Sequence, residues 1–312
     1  MTCVSVVIPC YYSKDMIGKV VALTRAELTG AGYDYEFVLV NDGSTDGTFD
    51  VIRSLHEEDP KIIGVNLAKN FGQHNAIMAG LGRTTGDYVM LMDDDMQTHP
   101  SQCLKLVREM ENGWDVVFAE FPEQHEAWWR RMGSAFTMWT MRTLQHRPKG
   151  VESSNFFVMR DYIAKEAAKY EGPYVYVQGI LFRITHNMTN VPVEHFDRES
   201  GVSGYNLKSL VRLWSIVLNF SMAPLRAAAI VGAALGSIGL IGAIALIIRR
   251  LLDPTVAMGW SSLMVTMLVC SGAIIMFLGL IGEYLGRLFM TMNKAPQYVV
   301  KEVLDDKADH DE

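Results

Sequence analysis

Apolar residues are distributed along this chain in two different ways. Over the first 220 or so positions, short runs rich in Val, Ile, Tyr and Phe alternate with longer stretches of helical period. The runs at 4–8, 35–40, 62–66 and 88–92 read as buried strands, and the stretches at 16–28, 48–57 and 72–84 as helices. This βαβ rhythm predicts an α/β domain with a mostly parallel sheet covered on both faces. Ligands of such sheets bind at the carboxyl ends of the strands. Beyond Arg226 the pattern changes. Residues 227–248 carry no charge and are rich in Ala, Gly, Ile and Leu. As a helix they would span about 33 Å, the thickness of a bilayer's hydrocarbon core. Arg249-Arg250, Asp253 and Pro254 interrupt the run, and a second uncharged stretch covers 259–282. The pattern predicts three parts: residues 1–221 with interface helices, a two-helix transmembrane hairpin within 222–288, and an acidic tail, 289–312, returned to the side of the first domain.

Composition narrows this further. With 312 residues, 49% of them hydrophobic, the chain is long enough for one large core plus a membrane segment. A net charge of −7 argues against nucleic acid as a partner. Cys3, Cys10, Cys103 and Cys270 show neither zinc nor disulfide-framework spacing. The strand Val4-Ser5-Val6-Val7-Ile8 follows the first residues directly, where a secretory signal would place a charged segment. The first domain is therefore expected in the cytoplasm, under the plasma membrane. Arg249-Arg250 would then lie across the bilayer, against the positive-inside tendency, with Arg226, Arg287 and Lys294 on the near side. Asn187-Met188-Thr189 matches a glycosylation sequon that a cytoplasmic domain leaves unused.

The chemistry-bearing residues follow the strands. Pro9 ends the first run, and Tyr11 just after it is either a stacking surface for a base or a core aromatic at a turn. The second strand runs into Asn41-Asp42-Gly43-Ser44-Thr45-Asp46-Gly47, where Asp46 suits a helix cap and Asp42 suits hydrogen bonds from a nucleotide. Lys69-Asn70-Phe71-Gly72-Gln73-His74 is a polar loop that either packs near that nucleotide, through Asn70 and Gln73, or simply begins a helix. The fourth strand ends in Asp93-Asp94-Asp95-Met96-Gln97. Three adjacent carboxylates repel one another, and a hard divalent cation, Mg²⁺ or Mn²⁺, is the usual reason to gather them. The spacing Asp93-x-Asp95 places two carboxylates on one side of an extended segment, the expected metal pair.

Taken in order, Val6-Val7-Ile8-Pro9, Asn41-Asp42-Gly43-Ser44, Asn70-Phe71-Gly72-Gln73-His74 and Asp93-Asp94-Asp95-Met96-Gln97 resemble the GT-A domain of family 2 glycosyltransferases. The resemblance implies a nucleobase contact for Asp42. It also implies donor and metal roles for Asp93 and Asp95, with Asp94 and Gln97 in the same donor loop. Further on, Leu280-Ile281-Gly282-Glu283-Tyr284-Leu285-Gly286-Arg287 and Ala295-Pro296-Gln297-Tyr298 resemble the tail of polyprenyl-phosphate glycosyltransferases. That group includes bactoprenol glucosyltransferases, the aminoarabinose transferase of lipid A modification and some dolichol-phosphate mannose synthases. The resemblance implies sugar transfer from a nucleotide-sugar, with a UDP-sugar the expected donor, to undecaprenyl or another polyprenyl phosphate. Arg198, in Arg198-Glu199-Ser200-Gly201-Val202-Ser203-Gly204-Tyr205, matches an arginine that the family turns to phosphate, with Ser203 beside it.

Ala127-Trp128-Trp129-Arg130-Arg131-Met132 reads either as a helix at headgroup level, with Arg130 and Arg131 facing the lipid phosphate, or as an ordinary amphipathic helix on the sheet. Residues 207–220 form a second such stretch. Two departures from the resemblance stand out: Ser153-Ser154-Asn155 where many relatives carry an Asp, and Gly204 where many carry Lys. A phosphate acceptor, with a second pKa of about 6, needs little help from a base. A hydroxyl acceptor on a lipid-linked saccharide would need one, from Glu152, Asp161 or Glu194. An inactive scaffold is the remaining reading, set against an intact acidic triplet. The spacings Gly232…Gly236 and Gly282…Gly286 permit close helix packing, and with the resemblance predict a homo-oligomer, with a tetramer as the candidate state.

Overall fold

A computed structural model of the chain describes residues 1–96, 98–121, 150–172, 175–194, 259–293 and 296–306, with scattered helical positions between 225 and 252. Compactness divides the chain into two units: Met1–Leu207 with Lys294–Glu312, and Lys208–Asn293.

The first unit is built on strands β1 (Cys3–Cys10), β2 (Asp34–Asn41), β3 (Ile62–Leu67) and β4 (Tyr88–Leu91), which pair in parallel in the order β4-β1-β2-β3. Helices α1 (Ile17–Gly30), α2 (Thr48–Glu58) and α3 (Gln73–Leu81) cross between them. The expected elements are thus present, with ends shifted by a few residues. From Val4 to Cys10 every position of β1 is buried, as a central strand covered on both faces requires. Ile17, Val20 and Leu28 of α1 pack with Val6, Ile8, Phe37 and Leu39 on one face. Gly80 lets α3 close on the other, since a Cβ there would stand 2.6 Å from the Val7 methyl. One carboxylate lies in this core. Glu36 accepts from Ser5 Oγ at 2.8 Å, Thr85 N at 2.9 Å and Thr85 Oγ1 at 2.6 Å, which answers the cost of burying it.

After β3 the chain returns across β1 to form β4. The reversal leaves a switch point between the carboxyl ends of β1 and β4, where α/β sheets place their ligands.

Four further strands complete the sheet, in the order β7-β5-β6-β4-β1-β2-β3-β8. They are β5 (Val116–Glu120), β6 (Phe157–Arg160), β7 (Met188–Pro192) and β8 (Val300–Leu304), with helices α4 (Cys103–Met110), α5 (Asp161–Ala168) and α6 (Val177–Ile184) between. The sheet is mostly parallel, but β6 runs antiparallel to β4 and β5, and β8 antiparallel to β3. The last strand corrects the expectation of a plain tail. Val299 O accepts from Ala68 N at 2.9 Å, and Glu302 pairs with Arg53 at 2.8 Å. Lys301 and Glu302 give this strand the polarity of an edge, which in sequence looks like a tail.

In the second unit, helix α7 (Trp260–Met292) runs ten residues past the expected end at Gly282. Its segment Cys270–Met292, of mean hydropathy 1.6, is the one helix among the described residues long and apolar enough to cross a membrane. Glu283 and Arg287, one turn apart, form an ion pair that lets the helix continue through two charges. The earlier apolar run, 227–248, lies largely outside the described residues. Where it is described it is helical, and a Cβ on Gly232 would stand 3.5 Å from the Phe277 ring of α7. Trp128 to Met132 and residues 207–220 lie outside the described residues.

Candidate active site

The carboxyl ends of β1, β2 and β4 and the amino end of α3 bring four loops together. The loop after β2 is fixed first. Asp42, buried, accepts from Phe71 N at 2.7 Å through one oxygen and from Gly72 N at 2.9 Å through the other. Burial pushes its carboxyl up, and the two backbone donors pull it back. Asp42 thus anchors the 69–73 loop, which places Asn70 exposed on that edge. Gly43 explains why the loops meet so closely. At φ +68, its Cβ would lie 2.3 Å from the carbonyl carbon of Lys69 and 2.5 Å from Asn70 N. Gly43→Ala is therefore expected to break the contact between the loops. It should destabilise the domain by about 1–3 kcal/mol and weaken nucleotide binding at least tenfold, as thermal denaturation and calorimetry would read.

The loop after β1 comes next. Pairing with β4 stops at Val7, while pairing with β2 continues through Pro9 and Cys10, so Pro9 ends the ladder on the β4 side, where its missing N–H costs nothing. Tyr11 and Tyr12 then stand half exposed in a T-shaped pair, centroids 4.6 Å apart, and Tyr12 takes φ +58. The Tyr12 N–H donates to Ser44 Oγ at 3.1 Å, and Ser13 N to Thr48 Oγ1 at 3.0 Å. Asp46 accepts from Thr48 N at 3.1 Å, an Asx turn one residue before the cap position of α2, which is Gly47 and not Asp46. Tyr11, half exposed, is thus not a core aromatic.

The acidic loop completes the site. β4 ends at Leu91, so Asp93, Asp94 and Asp95 lie on a turn, with Met96 at φ +61, and not on the extended segment that strand alternation assumes. Their neighbours separate their roles. Asp94 accepts from Ser13 Oγ and from the Tyr11 backbone, joining the β1 and β4 ends across the switch point. Asp93 Oδ1 accepts from Gln73 Nε2 at 2.5 Å. Its carboxyl is pushed up to about 6, first by burial and then by Asp95 and Asp94. Negative charge held at such density in a half-buried turn suits a hard dication. Among the described residues no group of three His, Cys, Asp or Glu side chains converges. The protein would therefore supply the carboxylates of this one turn, and substrate oxygens or water the rest, as Mg²⁺ prefers.

A fourth loop, 153–156, precedes β6 and so borders β4 on this edge. Ser154 Oγ donates to Phe156 O at 2.7 Å, turned to its own backbone and away from a base's task. Asp161 follows Arg160, which pairs with Tyr88 at the other end of β4, so it stands at the opposite edge of the sheet. Gln97, Arg130, Arg131, Arg198 and Ser203 lie outside the described residues. Ser13 and Gln178, both buried, are site residues that sequence reading passed over. Ser13 resembles any turn serine, and Gln178 is a single amide in an apolar run.

The family model described as glycosyl transferase family 2 matches residues 5–188, most of the first unit. The chain belongs to glycosyl transferase family 2. This family 2 transferase is 31% identical over 309 residues to the undecaprenyl-phosphate 4-deoxy-4-formamido-L-arabinose transferase of Edwardsiella ictaluri, covering 96% of this chain and 94% of that protein. It is 32% identical over 315 residues to the protein of the same name from Pseudomonas fluorescens, covering 97% and 90%. Among solved structures it is similar to glucosyl-3-phosphoglycerate synthase from Mycobacterium tuberculosis in complex with Mn²⁺, UDP and phosphoglyceric acid. The TM-score there is 0.51 at 17% identity, over 71% of this chain and 78% of that one. Mannosyl-3-phosphoglycerate synthase from Rubrobacter xylanophilus gives 0.50 at 17%, over 72% and 75%. These two share the α/β fold of the family 2 transferase.

Proposed function

We propose that this family 2 transferase moves a sugar from a nucleotide-sugar to a polyprenyl phosphate at the cytoplasmic face of the membrane, giving a polyprenyl-phosphate-linked monosaccharide. The observation that carries the reading is the reach of the likeness. It covers 96% of this chain against a transferase named for undecaprenyl phosphate, apolar helix included. A UDP-sugar is the proposed donor, in keeping with the UDP and Mn²⁺ held by the Mycobacterium tuberculosis enzyme.

In this reading Tyr11 offers its face to the base, and Asp42, with Asn70 of the loop it anchors, borders the nucleoside. Gln73, Asp94 and Gln97 shape the diphosphate end, and Asp95 with Asp93 would hold the cation. A bound Mg²⁺ or Mn²⁺ supplies neutralisation of the charge that grows on the departing diphosphate. An acceptor phosphate oxygen attacks the anomeric carbon, the bond from that carbon to the diphosphate oxygen breaks, and the nucleoside diphosphate leaves with the electron pair. Arg198, with Ser203, Arg130 and Arg131, is the proposed binding set for the lipid phosphate, its planar guanidinium matched to phosphate oxygens. The acceptor oxygen is largely ionised at neutral pH, since its second pKa is about 6. Ser154 in place of a base is thus compatible with this acceptor. A hydroxyl acceptor finds no base in Asp161, which stands at the wrong edge of the sheet.

The strand β8 bears on topology. A membrane unit whose two ends join the same domain crosses an even number of times, so we place the second crossing in residues 227–248. Gly232 against Phe277 supports such a hairpin, and we propose a homo-oligomer, a tetramer, through the small-residue faces of Gly282 and Gly286.

The test uses the full chain in nanodiscs with undecaprenyl phosphate, Mn²⁺ or Mg²⁺, and labelled UDP-, GDP- and dTDP-sugars. Label is expected in an acid-labile lipid from one donor, and none with EDTA. No transfer from any donor, with nucleotide still bound, would overturn the reading in favour of a hydroxyl acceptor or a scaffold.

A further inference from the structure

Helix α6 buries Val177, Gly179, Ile180, Leu181 and Phe182, and among them one amide, Gln178, at 3% exposure. A polar side chain in so apolar a helix needs a partner. Gln178 Nε2 donates to Asn155 Oδ1 at 2.9 Å and to Ser154 O at 3.3 Å. Asn155 Nδ2 points on to Gln73 Oε1 at 3.5 Å, and Asn155 also donates to Asp93. Gln73 Nε2 donates to Asp93 Oδ1 at 2.5 Å.

The direction of this chain follows from its end. An ionised carboxylate only accepts, so Gln73 must present its NH₂ to Asp93. Its oxygen then faces Asn155, which must present NH₂ in turn, and the oxygen of Asn155 faces the NH₂ of Gln178. Three amide dipoles line up head to tail and end on one carboxylate. In this direction the far end of the chain is Gln178 Oε1, which is buried with no hydrogen-bond partner among the described residues. An apolar residue of the same length would remove that unanswered acceptor, so packing alone does not account for a glutamine here.

We propose that Gln178 is a positioning residue, which through Asn155 and Gln73 sets the orientation of the Asp93 carboxylate toward the donor's diphosphate. The inference rests on the proposed function, in which Asp93 faces that diphosphate. An acid at 155 would add a negative charge beside Asp93, to which Asn155 donates.

Two isosteric replacements separate positioning from packing. Gln178→Met keeps volume and removes both the donor and the orphan oxygen. It is expected to lower kcat about tenfold with Tm unchanged or raised. Gln178→Glu keeps shape but offers only acceptors to Asn155, which forces each amide to turn and leaves the oxygen of Gln73 against Asp93. It is expected to lower kcat/KM about a hundredfold and UDP affinity in the presence of Mn²⁺ about tenfold, read by calorimetry on the full chain in nanodiscs. Asn155→Asp keeps the acceptor for Gln178 and loses the donation, and is expected to follow Gln178→Glu. Wild-type kcat and UDP affinity in Gln178→Met and Gln178→Glu would overturn the proposal. So would a loss in Gln178→Met that tracks a lowered Tm while Asn155→Asp stays fully active. Failure of the wild-type chain to turn over any donor would instead count against the proposed function.

Discussion

Asp95→Ala is expected to lower kcat/KM for sugar transfer by roughly 10²–10³-fold or more, the loss that follows removal of one preorganised charge-stabilising group, while the protein folds and inserts as before. The two halves of this expectation have one physical source. Asp95 contributes to the repulsion that, with burial, pushes Asp93 up to about 6. Adjacent carboxylates on one turn carry unfavourable electrostatic energy in the absence of a cation, so deleting Asp95 relieves repulsion on Asp93. The same deletion removes an oxygen ligand from the cation proposed at the diphosphate. Asp94→Ala should behave differently. Asp94 holds Ser13 Oγ and the Tyr11 backbone, so its loss should lower Tm as well as activity. Label transferred to lipid in nanodiscs, read beside thermal denaturation, checks both variants. Full transfer by Asp95→Ala would remove the metal role assigned to it.

The sequence makes the centre of this site legible and its surroundings much less so. β1 to β4 are buried on both faces, so their apolar runs mark them directly, and the polar residues just after each run stand out by contrast. Asp42 shows the limit of that reading. Its position after a buried strand indicates a partner, but that both oxygens are held by Phe71 N and Gly72 N depends on Gly43 admitting the backbone of Lys69. No local pattern encodes such an approach between residues nearly thirty apart. β6 has four residues and enters between β4 and β5 against the parallel direction, a choice made by long-range pairing. Gln178 lies within Val177-Gln178-Gly179-Ile180-Leu181-Phe182, where one amide in an apolar run becomes meaningful only once the 154–155 turn is seen against it.

Removing residues 297–312 is expected to damage the first unit, although these residues follow the apolar helix α7 in sequence and look like a tail. β8 covers the edge of β3 from Gly64 to Leu67, and Leu304 sits over Gly64, whose Cβ would lie 3.0 Å from the leucine methyl. Val299 O holds Ala68 N, one residue before the loop that Asp42 anchors. Gln297 Nε2 donates to Tyr170 O, tying the same segment to the end of α5. A handful of ladder hydrogen bonds at about 0.5–1.5 kcal/mol each, with partial burial of Val303 and Leu304, together contribute roughly 3–6 kcal/mol. A domain's whole stability is only about 5–15 kcal/mol. The deletion should therefore leave a chain that still inserts but whose 62–73 segment is cut readily by protease and whose UDP affinity falls more than tenfold. Arg53→Ala separates the ladder from the exposed ion pair to Glu302, which should be worth less than about 1 kcal/mol. That variant is expected to keep nearly all protease resistance and nucleotide affinity. Equal resistance and affinity in the deletion and the full chain would mean that β3 holds its edge, and the donor loop its register, without β8.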